Sequence, residues 1–290
     1  MAFQHYFTAK LDERVKDLLT NKNINPLDIE DIFTDTNLSK AEVKEKYTYI
    51  ALQLPEYNRD TSFFQKKQIQ IVYGSDYIII IDENNYKNLQ IFETQRKDGN
   101  LFFGTSSELA LELVDFLITR LIRVVNKMRD EVTDIEKAIF NFESSRDLIL
   151  DIQILKKNII NFASLIIPLT ETLDELKKTA TPEEFLKLED SADKISKMLN
   201  NLHNFKEQTS LLTETNEVLI ARSTNEIVKV MTFVNILFLI PTIIVGFFGM
   251  NIGFGWDTDK FVPPVFFGIV SIIVGSMLIA YFVFKKKKWL

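Results

Sequence analysis

The stretch Asn225–Asn251, NEIVKVMTFVNILFLIPTIIVGFFGMN, decides how the rest of this 290-residue chain is read. From Val230 to Met250 it carries no charged side chain. A run of that length crosses the ~30 Å hydrocarbon core of a bilayer as a helix. Its polar content is ordered. Asn225, Val228, Thr232, Asn235, Leu239, Thr242, Gly246 and Gly249 alternate at spacings of three and four, which sets them in one stripe along one face. Thr232, Asn235 and Thr242, the polar side chains inside the apolar run, all lie on it. Facing lipid, each would be left without a hydrogen-bond partner, so the stripe must face other helices or water. One reading is helix–helix contact, where Thr, Asn and Gly are common. The other is a pore wall made by several copies of this helix around an axis. The end of the run, Gly249-Met250-Asn251, favours the pore, because there the stripe meets the membrane surface with an amide.

Downstream, residues 252–261 form a short polar loop, and a second apolar run covers 262–284. Pro263 and Pro264 suit the start of a helix, and Gly268, Ser271 and Gly275 suit close helix contact. So short a loop makes the two spans a hairpin. Lys285, Lys286, Lys287 and Lys288 then hold the C-terminus in the cytoplasm by the positive-inside rule, and the residues before the first span fall on the same side. A topology anchor is enough to explain these lysines.

Upstream, Thr181-Pro182-Glu183-Glu184 reads as a helix start, with a capping threonine, proline at the first position and acids in the first turn. No glycine interrupts the chain from there to Gly246, and Pro241 is the only breaker. One helix of roughly 100 Å, spanning 181–251, is therefore expected to begin in the soluble body and become the first span. Leu188, Ala192, Ile195, Leu199 and Leu202 give it a seam at coiled-coil spacing. Projected back in heptads, the stripe meets Ala221, Val218, Glu214, Leu211 and Glu207, a partly acidic line.

Residues 105–180 read as a helical hairpin, opened by a capping box at Thr105 and Glu108. Its second helix starts near Ser144 and runs toward Pro168 or past it. Asp130, Glu131, Asp134 and Glu136 cluster near the turn as an ordinary solvated face. Residues 1–104 read as an α/β domain. Asn25 caps a short helix with Pro26 at its first position. Tyr47–Leu54 is expected to be a strand that stops at Pro55. Gln68–Tyr73 and Tyr77–Asp82 flank Gly74-Ser75-Asp76, a hairpin signal. Asn88–Glu93 reads as a further strand. The fold class is thus an α+β cytosolic domain, a long helical stalk and two transmembrane helices.

The first 230 residues hold 29 of the 34 Lys+Arg and 38 of the 40 Asp+Glu, a balance of −9 that argues against nucleic acid as a partner. There is no cysteine and there are two histidines, His5 and His203, which argues against a thiolate or imidazole path for soft metals. No Gly-rich phosphate loop, HExxH or other catalytic constellation occurs, which argues against an enzyme.

Gly249-Met250-Asn251 at the end of the first of two C-terminal spans resembles the CorA family of divalent-cation channels. So do Thr224–Val230 leading into that span, Asn25-Pro26-Leu27 with Glu30-Asp31 (Asn25 standing where a His is usual), and the tail Lys285–Leu290. The resemblance covers essentially the whole chain. It implies a funnel-shaped homopentamer in the plasma membrane, with both termini cytoplasmic and Mg2+ as both transported and regulatory ion. It implies Gly249, Met250 and Asn251 at the outer pore mouth, and hydrophobic gate rings at Val228, Met231 and Leu239. A basic collar of Lys229 with Lys285–Lys288 is also implied. The stalk aspartate of the family's cytosolic regulatory site falls on Asp190, with Glu56 or Asp60 as its partner; a solvated helix face explains Asp190 equally well. Hydrated Mg2+ needs acceptors for its water hydrogens rather than strong ligands. Asn225, Thr232, Asn235, Thr242 and Asn251 supply these, and Gly246 bares its carbonyl. The outer loop departs from the family's acidic Met-Pro-Glu-Leu pattern and carries Asp257 and Asp259 instead. Co2+, Ni2+ or Zn2+ as substrate, or a non-transporting membrane-anchored scaffold or sensor, are the alternatives. A scaffold would not account for the alignment of Thr232, Asn235 and Thr242 with Asn251.

Overall fold

The computed structural model describes residues 3–34, 38–98, 103–141, 146–250 and 263–286, with 146–147, 248 and 263–266 described by backbone alone. The chain divides into two compact units, Met1–Thr215 and Asn216–Leu290.

In the first unit a five-stranded sheet is built from β1 (Gln4–Thr8), β2 (Lys40–Val43), β3 (Tyr47–Asn58), β4 (Phe63–Gly74) and β5 (Tyr77–Ile81). Their order is β1-β5-β4-β3-β2. Only β1 and β5 are parallel among these pairs; the rest are antiparallel. The β4–β5 turn requires its glycine. A Cβ on Gly74 would lie 2.7 Å from the Tyr77 ring and 3.1 Å from the Lys46 carbonyl.

Two helices, α1 (Glu13–Asn21) and α2 (Pro26–Phe33), cover one face. Val15, Leu19, Ile29 and Ile32 pack there on Tyr49, Val72 and Ile79. Asn25 caps α2 as the sequence predicts, its Oδ1 accepting from the Leu27 N–H at 2.9 Å. The opposite face buries Ile50, Leu52, Leu54, Ile69, Ile71, Ile78 and Ile80. There it meets α4 (Ser106–Phe140) and α5 (Arg146–Lys177). Alternating residues of β3 thus point into two cores, which is why the strand reads as continuously apolar.

Two sequence expectations are corrected. β3 does not stop at Pro55 but continues to Asn58, with Pro55 opposite Lys66. Its other neighbour, β2, covers only Thr48–Ala51. Beyond Ala51 no described strand pairs with that edge of β3, so a residue without an N–H breaks no ladder there. The expected strand at Asn88–Glu93 is instead part of helix α3 (Lys87–Lys97). Leu89, Phe92 and Glu93 are its buried residues, a spacing of three and four rather than two.

Helix α5 passes through Pro168 and buries Ile152, Leu155, Ile159, Phe162, Ile166, Leu169 and Leu173 along one face. It is long and apolar enough to cross a membrane. Its contacts with β2, β3 and β4 instead make it a core helix of the α/β unit. The box at the start of α4 is offset by one residue: Thr105 Oγ1 accepts from the Glu108 N–H at 3.1 Å, while the Glu108 carboxylate accepts from Gly104 N at 2.9 Å.

α3 is tied to the edge strand by a half-buried cluster. Arg96 Nη2 lies 3.1 Å from His5 Nδ1 and donates to Glu93 Oε2 at 3.0 Å, and His5 Nε2 is 3.5 Å from Glu93 Oε1. Burial pushes the Glu93 carboxyl up, but the bonds from His5 and Arg96 outweigh it and hold it below the usual carboxylate range. A carboxylate held low stabilises the fold above its unfolded pKa, and that contribution is lost as pH falls through the folded value. Glu93→Gln should therefore flatten the fall of melting temperature below about pH 4.5. The check is thermal melting of detergent-solubilised protein from pH 6 downward; an unchanged acid slope would remove Glu93 from the account.

Candidate ion-conduction site

The candidate site lies on α6 (Pro182–Phe248), a single helix of 67 residues. Thr181 and Glu184 start it with a reciprocal box: Thr181 N donates to the Glu184 carboxylate at 2.9 Å, and Glu184 N donates to Thr181 Oγ1 at 3.4 Å. In its lower part Leu188, Ile195, Met198, Leu202 and Phe205 are buried within the one chain. Lys194 Nζ and Ser191 Oγ both donate to Asp115 of α4, at 2.7 and 2.6 Å, and the Arg129 guanidinium stands 5.8 Å from the Phe205 ring. The coiled-coil seam is thus a seam onto α4, with Ala192 and Leu199 at its half-buried margin.

In the second unit, α6 continues with α7 (Pro263–Lys286). Both carry stretches long and apolar enough to cross a membrane. The half-buried residues of this part of α6 include Phe233, Ile236, Leu237, Ile240 and Ile244. Those described on α7 are Ile269, Ile273, Gly275, Ser276, Met277 and Phe284, beside the buried Ala280. Phe233 and Phe284 meet with ring centroids 5.0 Å apart. The stripe lies on another side of α6. Asn225, Val228, Asn235, Leu239, Thr242, Gly246 and Gly249 are all exposed in the protomer, and Thr232 is half-buried. The hairpin partner does not consume the polar line.

The hydroxyl geometry adds a property that spacing alone does not show. Thr232 Oγ1 donates to the Val228 carbonyl and Thr242 Oγ1 to the Phe238 carbonyl, each at 2.7 Å. With the proton used inside the helix, what each threonine offers outward is acceptor lone pairs. A stripe of acceptors suits the hydrogens of water held on a cation. A Cβ built on Gly246 meets nothing within 4 Å, so the residue leaves width, not a tight helix contact. The same holds for Gly268 and Gly275 on α7, so no described residue of this chain packs against them closely enough to need their small size.

The expected gate residues Val228, Met231 and Leu239 are 54%, 65% and 56% exposed, large apolar side chains without cover in one protomer. Leu211 and Val218, on the backward projection of the stripe, are exposed as well. At the far end Gly249 N still reaches the Val245 carbonyl at 2.8 Å, while Met250 N reaches Phe247 O at 3.4 Å as the helix loosens. Asn251, the outer loop 252–261, and Lys287 and Lys288 lie outside the described residues. Of the basic collar, Lys229 is exposed on α6 and Lys285 and Lys286 are exposed on the last turn of α7.

Two of the three carboxylates of the expected regulatory site face lysines of their own chain. Asp190 is paired with Lys194 at 2.7 Å, and Glu56 faces Lys67 at 3.8 Å. Asp60 sits exposed in the β3–β4 turn, its N–H donating to Asn58 Oδ1 at 2.8 Å. Among the described residues no group of three or more His, Asp or Glu side chains is arranged to hold a metal ion. Burial lowers the Lys194 ammonium pKa, but hydrogen bonds to Asp115 and Asp190 outweigh this and raise it. Reading the sequence for acids alone missed this lysine. The four-residue spacing of Asp190 and Lys194 was the available signal.

A family model described as "CorA-like Mg2+ transporter protein" matches residues 5–286. The cobalt/magnesium transport protein CorA of Thermotoga maritima is 25% identical over 277 residues, covering 92% of this chain and 77% of that protein. A CorA of the same description from Methanocaldococcus jannaschii is 20% identical, covering 96% of this chain and 88% of that protein. Among solved structures, the complete CorA magnesium transporter of M. jannaschii superposes with a TM-score of 0.79 at 18% identity, covering 99% of this chain and 90% of that one. The cytoplasmic domain of ZntB from Vibrio parahaemolyticus shares the fold at a TM-score of 0.66 and 8% identity, covering 77% of this chain and 89% of that one. With an acceptor stripe left exposed on a membrane-length helix, and a family match spanning soluble and apolar parts alike, the chain belongs to the CorA-like Mg2+ transporter family, membrane transporters of divalent cations and not enzymes.

Proposed function

We propose that this protein is a passive, gated channel for hydrated Mg2+, its pore lined by α6 from several copies of the chain, five by resemblance to the family. The observation that carries the reading is the stripe, which stays largely exposed after α7 has packed and whose Thr232 and Thr242 hydroxyls present acceptors rather than donors. Asn251 rings the outer mouth with amide oxygens. Val228, Met231 and Leu239 close the path by dewetting. Lys229 and the tail lysines form a collar at the cytoplasmic end. Relatives described as cobalt/magnesium transport proteins make Co2+ a second candidate substrate, with Ni2+ a further one. The absence of cysteine and the presence of only two histidines weigh against a site built for softer metals.

Cysteine-free sequence makes the test clean. Single cysteines at Asn235 or Thr242 should react with a membrane-impermeant thiol reagent, and cysteines at Val234 or Val245 should not. Equal reaction on all faces, or none on the stripe, would contradict a water-filled path along it.

Closure by internal Mg2+ fits an ion that bridges Asp190 to Glu56 or Asp60 of a neighbouring copy. Such an ion has to displace Lys194 from Asp190. It would shift the population toward the closed state only by its preference for that state. Asp190→Ala should weaken inhibition while leaving conduction intact. Asp190→Lys should hold the stalk closed without metal. Protease protection of the stalk with and without Mg2+ reads both out, and equal Mg2+-dependent protection of Asp190→Ala and parent would move the sensor elsewhere.

A further inference from the structure

Where the β3–β4 hairpin meets α3 and α4, a cavity of about 430 Å3 opens that no residue of the stripe lines. That volume falls in the range of small-molecule sites. Its floor is apolar, with Tyr86 and Met128 buried there. Tyr57 and Phe64, register partners at the ends of β3 and β4, make one wall. Their rings meet edge to face at 5.4 Å, and Phe64 meets the buried Phe162 in the same way at 5.3 Å. Asn158 of α5 fixes this wall, its Oδ1 accepting from Phe64 N at 3.2 Å and its Nδ2 donating to the Ser62 carbonyl at 2.9 Å. The wall is therefore preformed, and Tyr57 remains 48% exposed on it.

Three cations from three elements line the same cavity: Arg59 after β3, Lys87 in α3 and Lys127 in α4. All are exposed, and none of their side chains forms a hydrogen bond or ion pair among the described residues. Holding them around one cavity costs repulsion that an anion relieves. Of the acids in the lining, Glu56 already faces Lys67 at 3.8 Å, which leaves Glu131 against the three. The charge of Lys127 acts on the Glu131 carboxyl without bonding to it, and burial more than offsets that and pushes the carboxyl up. The start of α3 agrees with an anion here. Its first turn has no side-chain cap and no acid, and its first residue is Lys87. A cation at that end opposes the helix dipole, which favours negative charge there.

We propose that this cavity binds a nucleoside triphosphate, its base against Tyr57 and Phe64 and its phosphates on Arg59, Lys87 and Lys127. An aromatic wall takes any of the bases, since each has a π-face. Cations mounted on three separate elements suit a chain of phosphates rather than a single one, and the Arg59 fork suits paired oxygens. Glu131 is left to accept from the sugar hydroxyls. No residue of the pore stripe takes part, so the proposal does not rest on the channel reading.

The test is titration calorimetry on the full chain in detergent, with divalent cations chelated, using the four common ribonucleoside triphosphates, their monophosphates and tripolyphosphate. At least one triphosphate should bind, with its monophosphate and tripolyphosphate each about tenfold weaker. Arg59→Ala or Lys127→Ala should weaken the nucleotide and tripolyphosphate alike, by about tenfold. Tyr57→Ala should weaken the nucleotide about tenfold and leave tripolyphosphate unchanged. All three side chains are exposed, so these variants should melt as the parent does. No binding by any of the four triphosphates at millimolar concentration would overturn the proposal. So would tripolyphosphate binding as tightly as the nucleotides, a Tyr57→Ala loss shared by tripolyphosphate, or affinities unchanged in the variants.

Discussion

Asn251→Ala is expected to reduce Mg2+ uptake to the level of protein-free membranes while leaving expression and oligomer size unchanged. The stripe offers hydroxyl and amide oxygens along its length but no carboxylate inside the span. In the proposed pore, Asn251 is where an ion arriving from outside would first meet the acceptors of the stripe itself. Mg2+ gives up its waters reluctantly, so this ring must hold them rather than replace them. Alanine removes the acceptor without filling the space. The measurement is ion uptake by assembled mutant protein, with oligomer size read by chromatography. Normal uptake by an assembled mutant would transfer selection to another part of the stripe.

Leu239→Gly is the second large effect: conductance should persist at internal Mg2+ concentrations that silence the parent. Leu239 lies on the stripe and is 56% exposed in the protomer, with α7 packed on another side. In a ring of copies such side chains face one another, and a constriction of leucines closes by expelling water. Glycine removes that apolar surface, so the path stays wet whatever the state of the stalk. Met231→Gly should act in the same direction, since Met231 is 65% exposed one turn from Val228. Planar-bilayer current at high internal Mg2+ decides it. Current as low as in the parent would make both residues lipid- or helix-facing.

The helical architecture was legible because its signals are local. Thr181, Pro182 and Glu184 announce α6, and no breaker follows until Pro241. At Pro241 the helix continues, as membrane helices can. The α/β unit was less legible, because its signals compete with tertiary context. Pro55 ends a strand only if a neighbour on the side of its nitrogen needs an N–H, and the shortness of β2 could not be read from β3. Asn88–Glu93 has β-branched and aromatic content but carries its burial at helical spacing, against α4. The stripe was visible from spacing alone. Its acceptor character was not, because the direction of the Thr232 and Thr242 hydroxyls depends on a helical backbone offering carbonyls four residues back. Likewise Asp190 was readable as an acid in place, while its engagement by Lys194, with Asp115 sharing the ammonium, required α4 to be brought alongside.

The proposed stripe would conduct a hydrated divalent cation down its gradient. Purified protein in liposomes containing a Mg2+-sensitive dye tests it most directly. External Mg2+ with a negative interior should raise the dye signal without any other energy source, and Asn251→Ala liposomes should stay at baseline. A dye signal no higher than in protein-free liposomes, from assembled protein at low internal Mg2+, would contradict the claim and leave the stripe as a surface for helix packing alone.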